Sequence, residues 1–160
     1  EAYLKKFDGY YDTSDAGIID KNGYISVMSR TDDIINCAGH RLSTGSIEEI
    51  LTQHKDIAEC AVVGVNNELK GQVPVGLIVL NNSSMNAEET IIKETINLVR
   101  EKLGPVASYK KSIIVENLPK TRSGKILRST ISKILNKEDY KLPATIEDIN
   151  TLELIKSIKV

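Results

Sequence analysis

At 160 residues the chain has the length for one domain with a real core and little room for a second. Hydrophobic residues make up 41% and charged residues 27%, an ordinary balance for a globular chain in water. A formal net charge of −1 excludes the global field that draws a protein to nucleic acid or a membrane surface, so any cationic chemistry must be local. Two cysteines, Cys37 and Cys60, form no CxxC pair and fit a reducing compartment without a disulfide framework. No apolar run has the length of a membrane span and no signal-peptide pattern opens the chain. The opening Glu1-Ala2-Tyr3-Leu4 reads as mid-protein sequence, so we expect the C-terminal piece of a larger chain, with any targeting signal out of view.

In chain order, residues 1–15 are turn-prone and tyrosine-rich, ending in Asp12-Thr13-Ser14-Asp15. Asp20-Lys21-Asn22-Gly23 between two apolar runs predicts a hairpin, because Asn-Gly accepts the positive φ of a tight turn. Asp32-Asp33 breaks the pattern before Ile34-Ile35, and Ala38-Gly39-His40 reads as a second tight turn. Ser43, or Ser46 with Glu49 as its capping-box partner, can start a helix whose apolar stripe is Ile47, Ile50, Leu51 and the edge of His54. Runs rich in Val, Ile, Leu and Ala at 57–65 and 73–80 predict two strands buried on both faces. Asn86 can cap the longest helix, whose stripe of Ile92, Ile96, Val99 and Leu103 stops at Gly104-Pro105. A third strand at 113–115 leads to a cationic loop and a helix ending near Asn136. An extended stretch over 137–150 and a short helix with Leu152, Ile155 and Ile158 close the chain. The sum is an α+β fold, a small three-stranded sheet flanked by helices and preceded by a β-hairpin.

The cationic loop is Leu118-Pro119-Lys120-Thr121-Arg122-Ser123-Gly124-Lys125-Ile126. Three cations and two hydroxyls at the mouth of a predicted helix suit an anion, and Gly124 permits close backbone approach or positive φ. It is not a Walker-type phosphate loop, since Pro119 holds the position of that motif's first glycine. The plainer alternative is a solvated basic turn before a surface helix. Arg30 and Arg41 bracket a glycine turn, and each reads either as a solvated arginine or as a fork for phosphate or ribose oxygens. Asp15 reads locally as a turn carboxylate bonding its own backbone, Arg100 as a surface arginine, and His54 as a helix cap or core-edge histidine. With two histidines, neither near a Cys nor paired at i+4, a zinc site is not expected.

Three stretches carry a resemblance: Tyr10-Tyr11-Asp12-Thr13-Ser14-Asp15, the run from Ser29-Arg30-Thr31-Asp32-Asp33 through Ala38-Gly39-His40-Arg41, and Pro119 to Lys125. In order and spacing they closely resemble the adenylate-forming family of acyl-CoA synthetases, peptide-synthetase adenylation domains and firefly luciferase. The likeness runs from Gly9 to near Asp148. Gly39-His40-Arg41-Leu42 and the lysine loop look most like the short-chain synthetases that activate acetate or propionate, and the tail from Tyr140 to Asp148 is similar to the propionate branch.

The resemblance implies an ATP-dependent acid–CoA ligase using ATP, coenzyme A and Mg2+, with this chain as its rotating C-terminal domain. Residues 1–31 would end the large adenylation domain as a hairpin, 32–136 would form the mobile lid, and 137–160 an extended tail with a short terminal helix. Lys125 would offset charge in the adenylation transition state. Asp15 would accept from the two ribose hydroxyls, Arg30 would contact the ribose side of the nucleotide and Arg41 its phosphates. Ser14 stands where the family often has glycine, which puts the turn geometry in question. Asp32 would be the hinge, where several relatives use lysine. Ala38 and Gly39 would line the pantetheine tunnel, and Arg100 would meet the 3′-phosphate of coenzyme A. Main-chain carbonyls of Thr52, His54 and Ile57 would hold magnesium or a similar hard cation.

The implied partners are a small carboxylic acid, the chain's own N-terminal adenylation domain, and a lysine acyltransferase and deacylase acting on Lys125, whose charge acylation would delete. Neither nucleic acid nor membrane is among them. The implied compartment is cytoplasmic, with the mitochondrial matrix as the eukaryotic alternative. One rival is a non-catalytic lid-like module that binds a nucleotide or a partner. Another is a peptide-synthetase adenylation domain, although nothing after Asp148 looks like the carrier domain that often follows one.

Overall fold

The structure, a computed structural model, describes residues 7–158, without the side chains of Met28 and Asp32. The first hairpin forms as the Asn-Gly signal predicts, from β1 (Asp15–Ile19) and β2 (Ile25–Arg30). Its loop is folded by Asp20, whose carboxylate accepts the N–H groups of Asn22 and Tyr24 at 2.8 and 3.0 Å, while Gly23 takes φ +85°. The hairpin is a two-stranded sheet of its own and exposes Ile18, Ile19, Tyr24, Ile25 and Val27.

A 3-10 turn at Thr31–Asp33 leads into β3 (Ile34–Cys37) and β4 (His40–Ser43). Ala38 at φ +48° and Gly39 at φ +85° form the two-residue connection, both residues left-handed as a mirror-image turn requires to match the strand twist. α1 (Thr44–Leu51) is capped by Ser43, not Ser46: the Ser43 hydroxyl accepts the Ser46 N–H at 3.4 Å. Ile47, Ile50 and Leu51 are buried as the spacing predicts.

β5 (Ile57–Asn67) and β6 (Gly71–Leu80) are long antiparallel partners, and β7 (Lys111–Ile114) runs parallel to β6. These are the three expected strands. The β3–β4 hairpin joins them through the pairing of Cys37 with Gly71, which extends the sheet to five strands. That extension was not legible because each strand is four residues long and half polar.

Alternation along β5 and β6 sorts side chains into two cores. Cys60, Val62 and Ile78 join Ile47, Leu51, Ile91 and Val99 beneath α1 and α2 (Glu88–Leu103). Ala61, Val63, Val75 and Leu77 face the other way, onto Leu118, Ile131, Leu135 and Ile155, beneath α3 (Arg128–Leu135) and α4 (Asn150–Lys156). The open edge of β5 is satisfied by side chains. The Glu48 carboxylate takes the Val62 N–H at 2.8 Å, the Asn136 amide oxygen takes the Asn66 N–H at 2.7 Å, and Ser132 Oγ donates to the Gly64 carbonyl at 2.8 Å.

The longest helix differs from expectation in two ways. Its buried stripe is Ile91, Thr95 and Val99, one residue off the Ile92 and Ile96 register. Thr95 can face the core because its hydroxyl bonds Ser112 Oγ at 2.8 Å, and Ser112 in turn bonds the Tyr109 hydroxyl at 2.6 Å. Asn86 does not cap the helix. Its amide donates to Asp56 Oδ2 at 2.7 Å, and Glu88 and Glu89 supply negative charge in the first turn instead.

Both cysteines are buried and free. Burial, with Glu48 nearby, pushes the Cys60 thiol up to about 12, and burial likewise raises the Tyr109 phenol. The folded state therefore holds the Cys60 proton more tightly than the unfolded chain. Its stabilisation is complete below the ordinary thiol range and is lost as pH climbs from there towards about 12. Urea midpoints measured across that window should fall steadily, and Cys60→Ser should flatten the fall. No helix among the described residues is long and apolar enough to cross a membrane.

Candidate functional site

The lysine loop is a closed turn with its own ladder. Thr121 N–H donates to the Lys125 carbonyl at 2.8 Å, Leu127 N–H to the Pro119 carbonyl at 2.9 Å, and Gly124 turns the chain at φ +81°. The Thr121 hydroxyl accepts the Lys125 N–H at 3.1 Å and lies 3.0 Å from Ser123 Oγ. α3 begins at Arg128, three residues after Lys125, so Lys125 stands ahead of the helix rather than in its first turn. Any anion contact belongs to its exposed side chain, not to its backbone N–H, which Thr121 already holds.

Lys125 shares a cleft of about 120 Å³ with Arg30, Asp33 and Arg128. Arg30 is therefore brought to the lysine although 95 residues separate them in sequence. Asp15 joins from the side, as the cross-strand partner of Arg30 in β1 and β2. Ser14 adopts φ +57°, the region glycine would take, with its N–H held by Asp12 Oδ1 at 2.8 Å and its carbonyl accepting the Thr31 N–H at 2.8 Å. The turn that a glycine would favour is thus made by serine, with local hydrogen bonds offsetting the strain.

Arg128 is a residue the sequence did not reveal. Its Nε and Nη2 each donate to a Glu48 carboxylate oxygen at 2.7 Å, a bidentate pair that links α3 to α1 around the β5 edge. The bond to Glu48 raises the Arg128 pKa above its ordinary value, against the opposing effect of burial. Nothing in local spacing couples residues 48 and 128, so the pair is visible only in three dimensions. Arg128→Ala would leave Glu48 half-served in a mostly buried site. We expect a loss of about 3 kcal/mol in denaturant unfolding, the lower end for removing one partner of a buried pair.

A second, larger cavity of about 350 Å³ lies at the end of α2. It is lined by Arg100, Lys70, Lys110, Ser108, Tyr109 and neighbours. Lys70 Nζ donates to Ser108 Oγ at 2.8 Å, while the Lys70 carbonyl accepts the Ala38 N–H at 2.8 Å. Lys70 therefore links the Ala38 end of the β3–β4 hairpin to the cavity that Arg100 lines, although Ala38 and Gly39 do not line that cavity themselves. Lys70, Ser108 and Lys110 gave no periodic signal, since Lys70 sits in a turn and the other two in the short connection before β7. Gly39 stands at the tip of its hairpin with open space where a Cβ would be.

The remaining residues fall elsewhere. Arg41 is exposed on β4 opposite Asn36 and lines neither cavity. Asp32 lies in the 3-10 turn between β2 and β3, and its side chain is outside the described residues. His54 sits at the core edge: its Nδ1 accepts the Asp56 N–H at 3.3 Å, which places the proton on Nε2, 2.9 Å from Glu94 Oε2. Thr52, His54 and Ile57 follow the C-terminal end of α1, where the dipole favours a cation, and the His54 carbonyl also accepts the Ile57 N–H at 3.0 Å. Neutral carbonyls of this kind suit a hard cation that keeps part of its water. Among the described residues no three His, Cys, Asp or Glu side chains cluster to hold a metal.

Residues 46–125 match the family model described as the AMP-binding enzyme C-terminal domain. The chain is 55% identical, over 96% of its length, to the Dictyostelium discoideum protein named acyl-CoA synthetase short-chain family member B, mitochondrial, and covers 22% of that protein. It is 42% identical, over its full length, to Saccharomyces cerevisiae acetyl-coenzyme A synthetase 1, of which it covers 24%. The chain thus spans less than a quarter of either relative. Among solved structures, ATP-bound MatB from Rhodopseudomonas palustris has the same fold, with TM-score 0.69 at 21% identity over 84% of this chain and 26% of that one. The Brucella canis acyl-CoA synthetase structure superposes with TM-score 0.61 at 30% identity over 81% of this chain and 24% of that one.

Proposed function

Since the chain belongs to the AMP-binding enzyme C-terminal domain family, we propose that it is the rotating lid of an AMP-forming short-chain acyl-CoA synthetase. The reaction is acid + ATP + CoA → acyl-CoA + AMP + diphosphate, with acetate or propionate as the acid. The observation that carries this reading is the arrangement of two cationic sites. The elements bearing Lys125 pack on one face of the β5–β6 hairpin, and α2 with Arg100 packs on the other. Asp33, in the cleft of Lys125, and Gly39 flank opposite ends of the four-residue β3, which by itself spans about 13 Å at the usual rise of a strand. A body with this layout can offer one site and then, turned over, the other.

In the first half-reaction a carboxylate oxygen of the acid attacks the α-phosphorus of ATP, and diphosphate leaves with the electrons of the broken P–O bond. Lys125 offsets the charge that gathers on the bridging oxygens, which matters most once water is excluded. Asp15 accepts from the two ribose hydroxyls, with Arg30 beside it, and Arg41 meets the phosphates from β4. Asp32 then acts as the hinge, where a small backbone change is enough to reorient the lid. In the second half-reaction the pantetheine arm passes Ala38 and Gly39, and the thiol attacks the acyl carbonyl, releasing AMP. Arg100, with Lys70 and Lys110, holds the 3′-phosphate of coenzyme A. Mg2+ would sit on the Thr52, His54 and Ile57 carbonyls and steady the connection from α1 to β5.

Residues 1–31 are the end of the large domain in this reading, and 32–136 with the tail are the lid. The apolar side chains exposed on the β1–β2 hairpin support a further body covering them, the adenylation domain itself. Exposure of Lys125 suits an acyltransferase and a deacylase that would switch the first step off and on. Two buried free thiols fit a reducing compartment, cytoplasm or mitochondrial matrix.

The test is exchange of labelled diphosphate into ATP by the full-length protein with a panel of short acids. We expect exchange with acetate or propionate and acyl-CoA on addition of coenzyme A. Nucleotide binding without exchange for any acid would instead favour a non-catalytic module.

A further inference from the structure

The tail beyond residue 136 lies outside the matched family segment, and the proposed mechanism gives it nothing to do. In space it returns to the lysine loop. Arg122 N–H donates to the Thr145 carbonyl at 2.9 Å, Glu147 N–H donates to the Lys120 carbonyl at 2.9 Å, and Thr121 and Ile146 form an antiparallel bridge between them. The outgoing side of the loop is therefore the middle of a three-stranded patch. Its own return, where Ile126 bridges Lys120, lies on one edge and the tail on the other. Ile146 is 8% exposed.

The tail segment is fixed at both ends. The Ile146 N–H closes a turn on the Pro143 carbonyl at 3.1 Å. Asp148 starts the next turn, its carboxylate accepting the Asn150 N–H at 2.9 Å and its carbonyl accepting the Thr151 hydroxyl at 2.6 Å. α4 then buries Leu152 and Ile155, the latter in the core beneath α3. The chain thus spends its last residues holding a strand against a loop that has already closed on itself. Removing that strand would leave Arg122 N–H and Lys120 C=O to water and free the loop to sample other shapes.

We propose that the tail strand around Ile146 positions Lys125, and that Ile146 is a positioning residue for the first half-reaction. This rests on Lys125 being the adenylation residue. A charge that must lie on a developing anion loses its effect when its mount wanders, and a misplacement of about 1 Å can lower a rate on the order of 10²-fold. The second half-reaction, with Lys125 withdrawn, does not need the mount.

The experiment uses the full-length protein with Ile146→Ala and, separately, Glu147→Pro, which deletes one donor to the loop. Three quantities are read: hydrogen exchange at the Arg122 and Thr121 amides, diphosphate exchange with ATP, and thioester formation from supplied acyl-adenylate. Loop amides should exchange at least tenfold faster, and adenylation kcat should fall at least tenfold with thioester formation within about twofold of wild type. Ile146→Val should restore both. Ile91→Ala, a lesion in the other core beneath α2, should leave Arg122 exchange unchanged. Faster loop exchange with intact adenylation would overturn the proposal, as would loop amides that stay protected in both variants, or equal loss in both half-reactions. If Lys125→Ala itself spares adenylation, the parent reading fails instead, and amide exchange still decides whether the tail pins the loop.

Discussion

Lys125→Ala in the full-length protein is expected to slow acyl-adenylate formation on the order of 10²–10³-fold, ~3–4 kcal/mol, while thioester formation from supplied acyl-adenylate stays near wild type. The size follows from the charge it removes: a cation delivered to a site where two anions must meet acts on the transition state far more than on the ground state. The selectivity follows from the loop's construction. The hydrogen bonds that shape it use backbone atoms, the Thr121 and Ser123 hydroxyls and the Lys120 ammonium on Glu59, while the Lys125 side chain is exposed. Truncation should therefore leave loop and fold intact, with an unchanged melting temperature as the control. Diphosphate exchange and single-turnover thioester formation separate the two steps. Equal damage to both would refute alternation between two faces.

Gly39→Leu should give the opposite pattern, with thioester formation lowered by roughly 10²-fold and adenylation nearly retained. At φ +85° a leucine pays about 1–2 kcal/mol of backbone strain, but its Cβ meets nothing within 4 Å in this chain. Ala38 beside it already tolerates φ +48°, so the turn itself should survive. The damage would come from bulk projecting off the tip, into the path assigned to the thiol arm. Gly39→Ala separates the two causes, since it carries the same strain with little bulk. If alanine hurts as much as leucine, strain in the hairpin is the cause and the tunnel assignment fails.

Much of this architecture can be read directly from residue order. Asn22-Gly23 marks the first hairpin, Gly104-Pro105 stops the longest helix, and the unbroken apolar runs of β5 and β6 announce a sheet covered on both faces. What failed did so for long-range reasons. Thr95 displaced isoleucine from the core stripe because Ser112, 17 residues away, gave its hydroxyl a partner. Asn86 looked like a helix cap and instead serves Asp56. In the site, Lys125 and Arg30 stood out by composition and did meet in one cleft. Arg128 did not stand out, because its role depends on Glu48 arriving from 80 residues upstream. Lys70 stayed hidden for a related reason: its carbonyl and its ammonium serve different neighbours, and only the first lies near Gly39.

The central strands face two interiors that share few side chains, one beneath α1 and α2, the other beneath α3 and α4. Injury in such a body is compartmentalised. In the proposed reading, a void opened under α2 would loosen the thiol-handling end while sparing acid activation, and one opened under α3 would do the converse. Each chemistry can accordingly be retuned by repacking its own interior, with the shared strands acting as a bulkhead between them.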